Sequence, residues 1–103
     1  MAMPKPTKLK RTFLHYNRHY FSNLLDPETP VKWQNLGDAL GVLWADDGIG
    51  ISRKLRKSNN LWRTTLLHEM CHLATESERV SHGPRWQREM RRLARIGAFD
   101  KIW

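Results

Sequence analysis

Cysteine is almost absent from this chain, because Cys71 is the only one among 103 residues. A single thiol excludes an intramolecular disulfide framework and a cysteine-based zinc ribbon or finger. No apolar run approaches the roughly 18 residues that a membrane span needs. The first eleven residues contain no apolar stretch of the kind found in secretory signals. We therefore expect an intracellular, cytoplasmic protein with no membrane association.

Acidic residues are also scarce. The chain has 10 Asp and Glu against 18 Lys and Arg, a formal net charge of +8, so a polyanion is the first partner to consider. A 40% hydrophobic content with five Trp is enough for one modest core. The sequence therefore predicts a single domain over residues 1–103, with a flexible arm at residues 1–6.

Apolar spacing predicts three helices. The first extends from about residue 7 to residue 25 and ends before the segment 26–30, which contains two prolines. The second extends from about 61 to 75, and Ser58 to Asn60 offer residues that can cap its start. The third begins at Pro84, which fits a first helical turn, and ends at Gly97.

Three short strands are predicted between the first two helices. Residues 31–36 alternate apolar and polar, whereas residues 39–45 are more continuously apolar and favour a better-covered strand. The sequence Asp46-Asp47-Gly48 indicates a hairpin turn into a third strand at 49–51. The predicted fold class is α+β, with a small antiparallel three-stranded sheet.

The predicted second helix contains the motif His68-Glu69-Met70-Cys71-His72, an H-E-x-x-H pattern. Histidines four residues apart lie on one helix face, with Cβ atoms about 5–6 Å apart. Tetrahedral zinc needs nitrogens roughly 3.3 Å apart, and converging rings reach that spacing. Glu69 lies about 100° further round the helix, where it suits a base better than a ligand. On a helical wheel both histidines and Glu69 fall opposite the apolar side of the helix.

A catalytic zinc usually has a third protein ligand. The metzincin pattern fails, because Thr75 and Glu78 occupy the positions where that class has Gly and His. The imidazole of His82 is one candidate, and carboxylates offer the others: Glu76, Glu78 and Glu89.

Two segments together resemble the SprT-like metallopeptidase family: residues 67–72, which hold the motif, and Ser81-His82-Gly83-Pro84-Arg85-Trp86. Residues 16–21 also resemble the family's first helix, and the segments 31–33 and 40–52 resemble its strands. The resemblance covers about residues 12–96 in the family's order. It is closest to a minimal, catalytic-domain-only member, of bacterial or phage origin.

This resemblance implies a zincin-like fold with one Zn²⁺ per chain on His68, His72 and His82, and with Glu69 as general base and acid. It also implies a zinc-dependent endopeptidase that hydrolyses protein substrates. Some members of the family degrade proteins crosslinked to DNA, so DNA-associated or DNA-crosslinked proteins are expected substrates.

Two basic clusters are the candidate nucleic-acid contacts, through phosphates rather than bases. The first precedes the motif helix, and the second forms one stripe of the last helix. Their members are Arg53, Lys54, Arg56 and Lys57 in the first cluster, and Arg85, Arg88, Arg92 and Arg95 in the second.

Two other functions compete with the protease. The chain could be a non-catalytic, zinc-stabilised basic domain that binds DNA or a partner protein, or a nucleic-acid adaptor whose motif is accidental. The presence of Glu69 favours the protease, because a purely structural metal site has no use for a base. A second histidine pair, His15 and His19, is interpreted as ordinary surface histidines, and Trp44 and Trp86 as core residues.

Overall fold

The computed structural model describes residues 6–77 and 81–103 and has the predicted α+β class. Its elements in chain order are helix α1 (Lys8–Tyr20), strands β1 (Val31–Gln34), β2 (Gly41–Leu43) and β3 (Ile49–Ser52), a short 3-10 helix (Arg53–Leu55), and helices α2 (Asn59–Ala74) and α3 (Pro84–Arg95). Most of the predicted arm, residues 1–5, lies outside the described residues. Within the described residues, no helix is both long and apolar enough to cross a membrane.

The sheet is mixed, which corrects the prediction of an antiparallel one. Strands β2 and β3 are antiparallel and joined by the predicted turn, with Val42 opposite Gly50. The strand order is β1-β3-β2, so β3 lies between the other two and runs parallel to β1. Successive strands do reverse direction along the chain. The central place of β3 is what makes one of the two pairings parallel.

Burial explains why β3 is central. All four of its residues are buried, and Ile49 and Ile51 are 2% and 0% exposed. A strand whose residues are all buried is most stable where both its edges are paired and both its faces are covered. Strand β2, predicted to be the better covered, is instead half-buried along its length and lies at an edge.

Helix α1 ends five residues earlier than predicted. The hydroxyl of Thr7 caps its start by accepting from the backbone N–H of Lys10 at 3.1 Å. After Tyr20 the backbone turns sharply, because Ser22 and Asn23 have φ values of +53° and +58°, in the left-handed region. Leu24, which falls within the predicted helix, lies beyond its observed end and is exposed.

Helix α2 runs through the centre of the molecule and carries the candidate site. It packs against β2, β3 and α3, and its buried face includes Trp62, Leu66, Leu67 and Met70. Cys71 is also buried, and this burial raises the pKa of its thiol to about 12. The interpretation of Trp44 as a core residue was wrong: it lies just after β2 and is 46% exposed.

Candidate metal centre

The two motif histidines project from neighbouring turns of α2. The ring centroids of His68 and His72 are 4.9 Å apart, and both residues are half-buried. This geometry follows from the four-residue spacing on a regular helix, as the sequence predicts.

His82 reaches these rings from the segment that precedes α3. Its centroid is 5.0 Å from that of His68 and 4.7 Å from that of His72. The backbone of His82 has a φ of +58°, a left-handed conformation that is uncommon outside glycine. Gln87 Nε2 donates to the His82 carbonyl at 2.8 Å and stabilises this turn. The turn at His82 and the start of α3 thus hold the third ring over the first two.

The three imidazoles fit a divalent transition metal. One ligand atom from each lies within 4.8 Å of the other two, and the Nε2 atoms of His68 and His82 are 3.2 Å apart. Tetrahedral zinc needs a spacing of roughly 3.3 Å. Burial and the neighbouring imidazoles lower the pKa of His68 to about 4 and also lower that of His72. Neutral rings at neutral pH offer the lone pairs that a metal requires.

Glu69 is buried rather than displayed on the solvated face that the helical wheel indicated. It is 5% exposed, and its Oε2 lies 3.8 Å from Nε2 of His68. Burial raises the pKa of its carboxyl group to about 7. The cover comes from the edge strand, because an added Cβ at Gly41 would lie 2.9 Å from Oε2. The carboxylate is therefore confined between α2 and β2, beside the three rings.

Trp86, in the first turns of α3, touches all three histidines. Its ring stacks on His72 at a centroid distance of 5.3 Å and an angle of 22°, and lies 4.3 Å from His82 and 4.9 Å from His68. Its indole N–H donates to the backbone carbonyl of His68 at 3.3 Å. Trp86 is half-buried and packs against the hydrophobic core, as predicted, and its ring also forms one side of this centre.

An open cavity of about 460 Å³ lies over the centre. The strand β2 forms one wall and the segment around His82 forms another, with the three rings and Glu69 between them. Because β2 pairs with β3 along one side only, its other edge is not occupied by a strand within the described residues. The centre is therefore accessible next to a strand edge that can pair with an extended chain.

The SprT-like family profile matches residues 9–100, nearly the whole chain. The chain belongs to the SprT-like family. No functionally curated protein matches it. The match confirms the family that residues 67–72 and 81–86 indicated.

In this SprT-like chain, two of the carboxylates considered as a third ligand, Glu76 and Glu89, are not among the groups that converge with the histidines. Glu76 is exposed and its side chain forms a hydrogen bond with Asp47, which raises the pKa of Glu76. Glu89 forms an ion pair with Arg92, at 2.8 Å. Glu78 lies outside the described residues.

The second histidine pair is surface-exposed, as interpreted. The rings of His15 and His19 are 4.2 Å apart, and neither belongs to a metal-compatible group among residues 6–77 and 81–103.

The predicted nucleic-acid contacts occupy two places. In the first cluster, Lys54 Nζ donates to the Gly37 carbonyl at 3.0 Å, and the Arg56 guanidinium lies 5.9 Å from the Trp33 ring. In the second, Arg92 is half-buried in its ion pair with Glu89. The remaining members are exposed at their positions: Arg53, Lys57, Arg85, Arg88 and Arg95.

Two residues at the centre have a role that sequence reasoning missed. Gly41 has no signal beyond its place at the start of a strand, where an isolated glycine suggests close backbone approach. Trp86 has a clearer one, since it lies in the first turn of the helix that begins at Pro84, directly after His82.

Proposed function

We propose that the chain is a zinc-dependent endopeptidase, with Zn²⁺ on His68, His72 and His82 and Glu69 as general base and acid. The observation that carries the proposal is the buried Glu69 carboxylate beside three clustered imidazoles, all facing one open cavity. A structural zinc site usually takes four protein ligands and needs no adjacent base. Among the described residues, only three ligands converge.

The chemistry divides between the metal and the chain. Zinc, when bound, supplies Lewis acidity and makes water a nucleophile at neutral pH. Glu69 Oε2 accepts a proton from the attacking water and delivers it to the departing amine nitrogen. The burial of Glu69 under β2 fixes its direction, so that the proton acceptor is in place before the substrate binds.

The edge of β2 favours an extended polypeptide as substrate. A chain that pairs with an exposed strand edge gains main-chain hydrogen bonds whatever its side chains are. Val42 and Leu43 line the cavity beside the histidines, so a paired segment would pass over the centre. This arrangement favours unfolded or loosely folded proteins over small amides.

The test is cleavage of casein by zinc-loaded protein, with metal content measured on the same samples. We expect Glu69→Gln to keep its zinc and lose cleavage, because it removes the base and none of the ligands. We expect His82→Ala to lose both zinc and cleavage. His19→Ala, an exposed histidine of the other pair, is the matched control and should change neither.

Full proteolysis by zinc-loaded Glu69→Gln protein would refute the assignment of the base. Full zinc occupancy in His82→Ala protein would show that another residue is the third ligand. Zinc binding without cleavage of any protein substrate by the wild type would favour the alternative, a zinc-stabilised domain that binds DNA or a partner protein.

We also propose that the protein acts near DNA through phosphate contacts by its two basic clusters. The support is the net charge of +8 and the exposure of Arg53, Lys57, Arg88 and Arg95. Electrostatic binding of this kind weakens steeply with salt. DNA affinity that does not change between low and physiological salt would contradict the proposal, and cleavage of a DNA-crosslinked protein would test its substrate.

A further inference from the structure

A second cavity, of about 390 Å³, lies between α1, the start of α2 and the segment that follows α3. It shares no lining residue with the cavity over the histidines. Four cationic side chains from these three segments line it, together with two tyrosines: Lys8, Arg11, Arg63, Lys101, Tyr16 and Tyr20. No Asp or Glu is among its lining residues.

No carboxylate among residues 6–77 and 81–103 forms an ion pair with any of these four cations. Arg11 has one long hydrogen bond, from Nη1 to the Pro6 carbonyl at 3.4 Å. The Nε of Arg63 is buried without a hydrogen-bond partner in the same residues, although the guanidinium lies 5.3 Å from the Trp62 ring. Arg63 as a whole is half-buried, so only this one nitrogen is cut off from both water and protein partners. A buried N–H without a partner carries a desolvation cost that an anion would offset.

The neighbouring titratable groups respond to a positive potential. The pKa of His15, at the rim, is lowered by burial and then by three positive neighbours, His19, Arg18 and Lys101. Arg63 favours ionisation of Tyr16, against the larger opposing effect of burial. Cations gathered in a concave site focus their field on whatever enters it.

The remaining lining residues offer aromatic and apolar surface against which a flat ring of a ligand can pack. His15 and Tyr20 carry aromatic surface, and Ala98 and Ile102 add apolar surface. A cavity of this volume falls within the range of about 300–1,000 Å³ typical of small-molecule sites. Arginine and lysine groups favour phosphate oxygens, and aromatic side chains stack on bases.

We propose that this cavity binds the phosphate group of a nucleotide, with the base against its aromatic rim. The four cations hold the phosphate, which gives the Arg63 guanidinium the anion that no carboxylate among the described residues supplies. The nucleotide is either free in solution or the 5′ end of a nucleic-acid strand, since both present the same monoester. The proposal does not depend on proteolysis.

The experiment is calorimetric titration of zinc-loaded protein with adenosine 5′-monophosphate, with adenosine as the ligand that lacks the phosphate. We expect the monophosphate to bind at least about tenfold more tightly than adenosine. Two thymidine pentamers, one with a 5′-phosphate and one with a 5′-hydroxyl, separate the sources. Tighter binding of the phosphorylated pentamer than of the hydroxyl pentamer would identify a strand end as the source of the phosphate. Equal affinities for the two pentamers would identify the free nucleotide as the source.

The diagnostic variant is Lys8→Gln/Lys101→Gln, which removes two exposed cations from the cavity. Its matched control is Lys32→Gln/Arg91→Gln, which removes the same charge from exposed positions elsewhere. We expect the cavity variant to lose about tenfold or more in affinity for the monophosphate, and the control to stay within about twofold. Because a metal centre can also bind phosphate, His82→Ala protein should retain wild-type affinity.

The proposal fails if the monophosphate binds no better than adenosine. It also fails if the cavity variant and its control bind the monophosphate equally. Loss of binding in His82→Ala protein would place the phosphate at the histidines and overturn it as well.

Discussion

The backbone of Gly41 lies directly against the carboxylate of Glu69. A Cβ built on Gly41 would be 2.9 Å from Glu69 Oε2 and 2.7 Å from Thr65 Cγ2, closer than such atoms approach in proteins. Because Gly41 is also paired with Ile51 in the sheet, β2 cannot move away without losing that pairing. The absence of a side chain at position 41 is what lets the strand cover the Glu69 carboxylate.

We expect Gly41→Ala to lower kcat/KM by about 10²-fold, because a displacement of the base by about 1 Å is enough for such a loss. Zinc content should remain that of the wild type, since the three atoms nearest to the added methyl group belong to Thr65 and Glu69 and not to a histidine. Parallel measurement of casein cleavage and bound zinc tests both statements.

Gly41→Ala/Thr65→Ala is the informative companion variant. It removes the contact with Thr65 Cγ2 and leaves the one with Glu69 Oε2, so activity should stay low. Recovery of activity in the double variant would show that the strand, not the base, had been displaced.

Trp86 supports the three histidines from the side of α3. We expect Trp86→Ala to weaken zinc binding by about 10–100-fold, the usual cost of removing a group that orients metal ligands. Trp86→Phe should lose less, because it keeps a ring against His72 while it gives up the hydrogen bond to the His68 carbonyl. Competition with a chromophoric chelator measures both affinities.

Trp44→Ala is the control for loss of a tryptophan. Trp44 is exposed, and its indole N–H donates to Gln34 Oε1 at 2.8 Å, away from the imidazoles. Equal zinc affinity in the Trp86→Ala and Trp44→Ala proteins would show that Trp86 does not support the metal ligands.

Asn17 fixes the turn that follows α1. Its buried side chain donates to the Leu25 carbonyl at 2.8 Å and accepts from the Leu25 N–H at 3.1 Å. Removing the amide leaves two backbone groups without partners, so Asn17→Ala should lower the free energy of unfolding by about 2–3 kcal/mol. Urea denaturation measures the loss, and exposed Asn60→Ala should change stability little. Equal midpoints for the two variants would contradict the prediction.

The sequence alone predicted the elements whose structure depends only on residues close together in the chain. The i, i+4 spacing placed His68 and His72 on one helix face, and Pro84 marked the start of α3. The hairpin turn at residues 46–48 was predicted for the same reason, since a turn depends on its own few residues. The family resemblance singled out His82, which spacing alone left open among several carboxylates.

What the sequence left undetermined depends on contacts between distant segments. Local patterns do not say which strand takes the centre of a sheet, and the order β1-β3-β2 follows from competition for burial. The helical wheel put Glu69 on the solvated side of α2 because it could not include the strand that covers it. The turn after Tyr20 was missed because it depends on Asn17 reaching Leu25, a contact across eight residues.

The alkaline stability of the protein should depend on Tyr16. Burial raises the pKa of its hydroxyl above the ordinary 10.0, Arg63 partly opposes that rise, and Tyr20 adds to it. The unfolded chain therefore releases this proton at a lower pH than the folded protein does. The contribution of the un-ionised Tyr16 hydroxyl to stability is fully present below about pH 10 and is lost as pH rises past that value, so the free energy of unfolding falls.

Tyr16→Phe removes the titrating group, and the melting temperature of this variant should fall less steeply than that of the wild type between about pH 9 and pH 11. Lysines titrate over the same range in both proteins, so they cancel in the comparison. Parallel curves for the two proteins would mean that Tyr16 ionises equally easily in the folded and unfolded states.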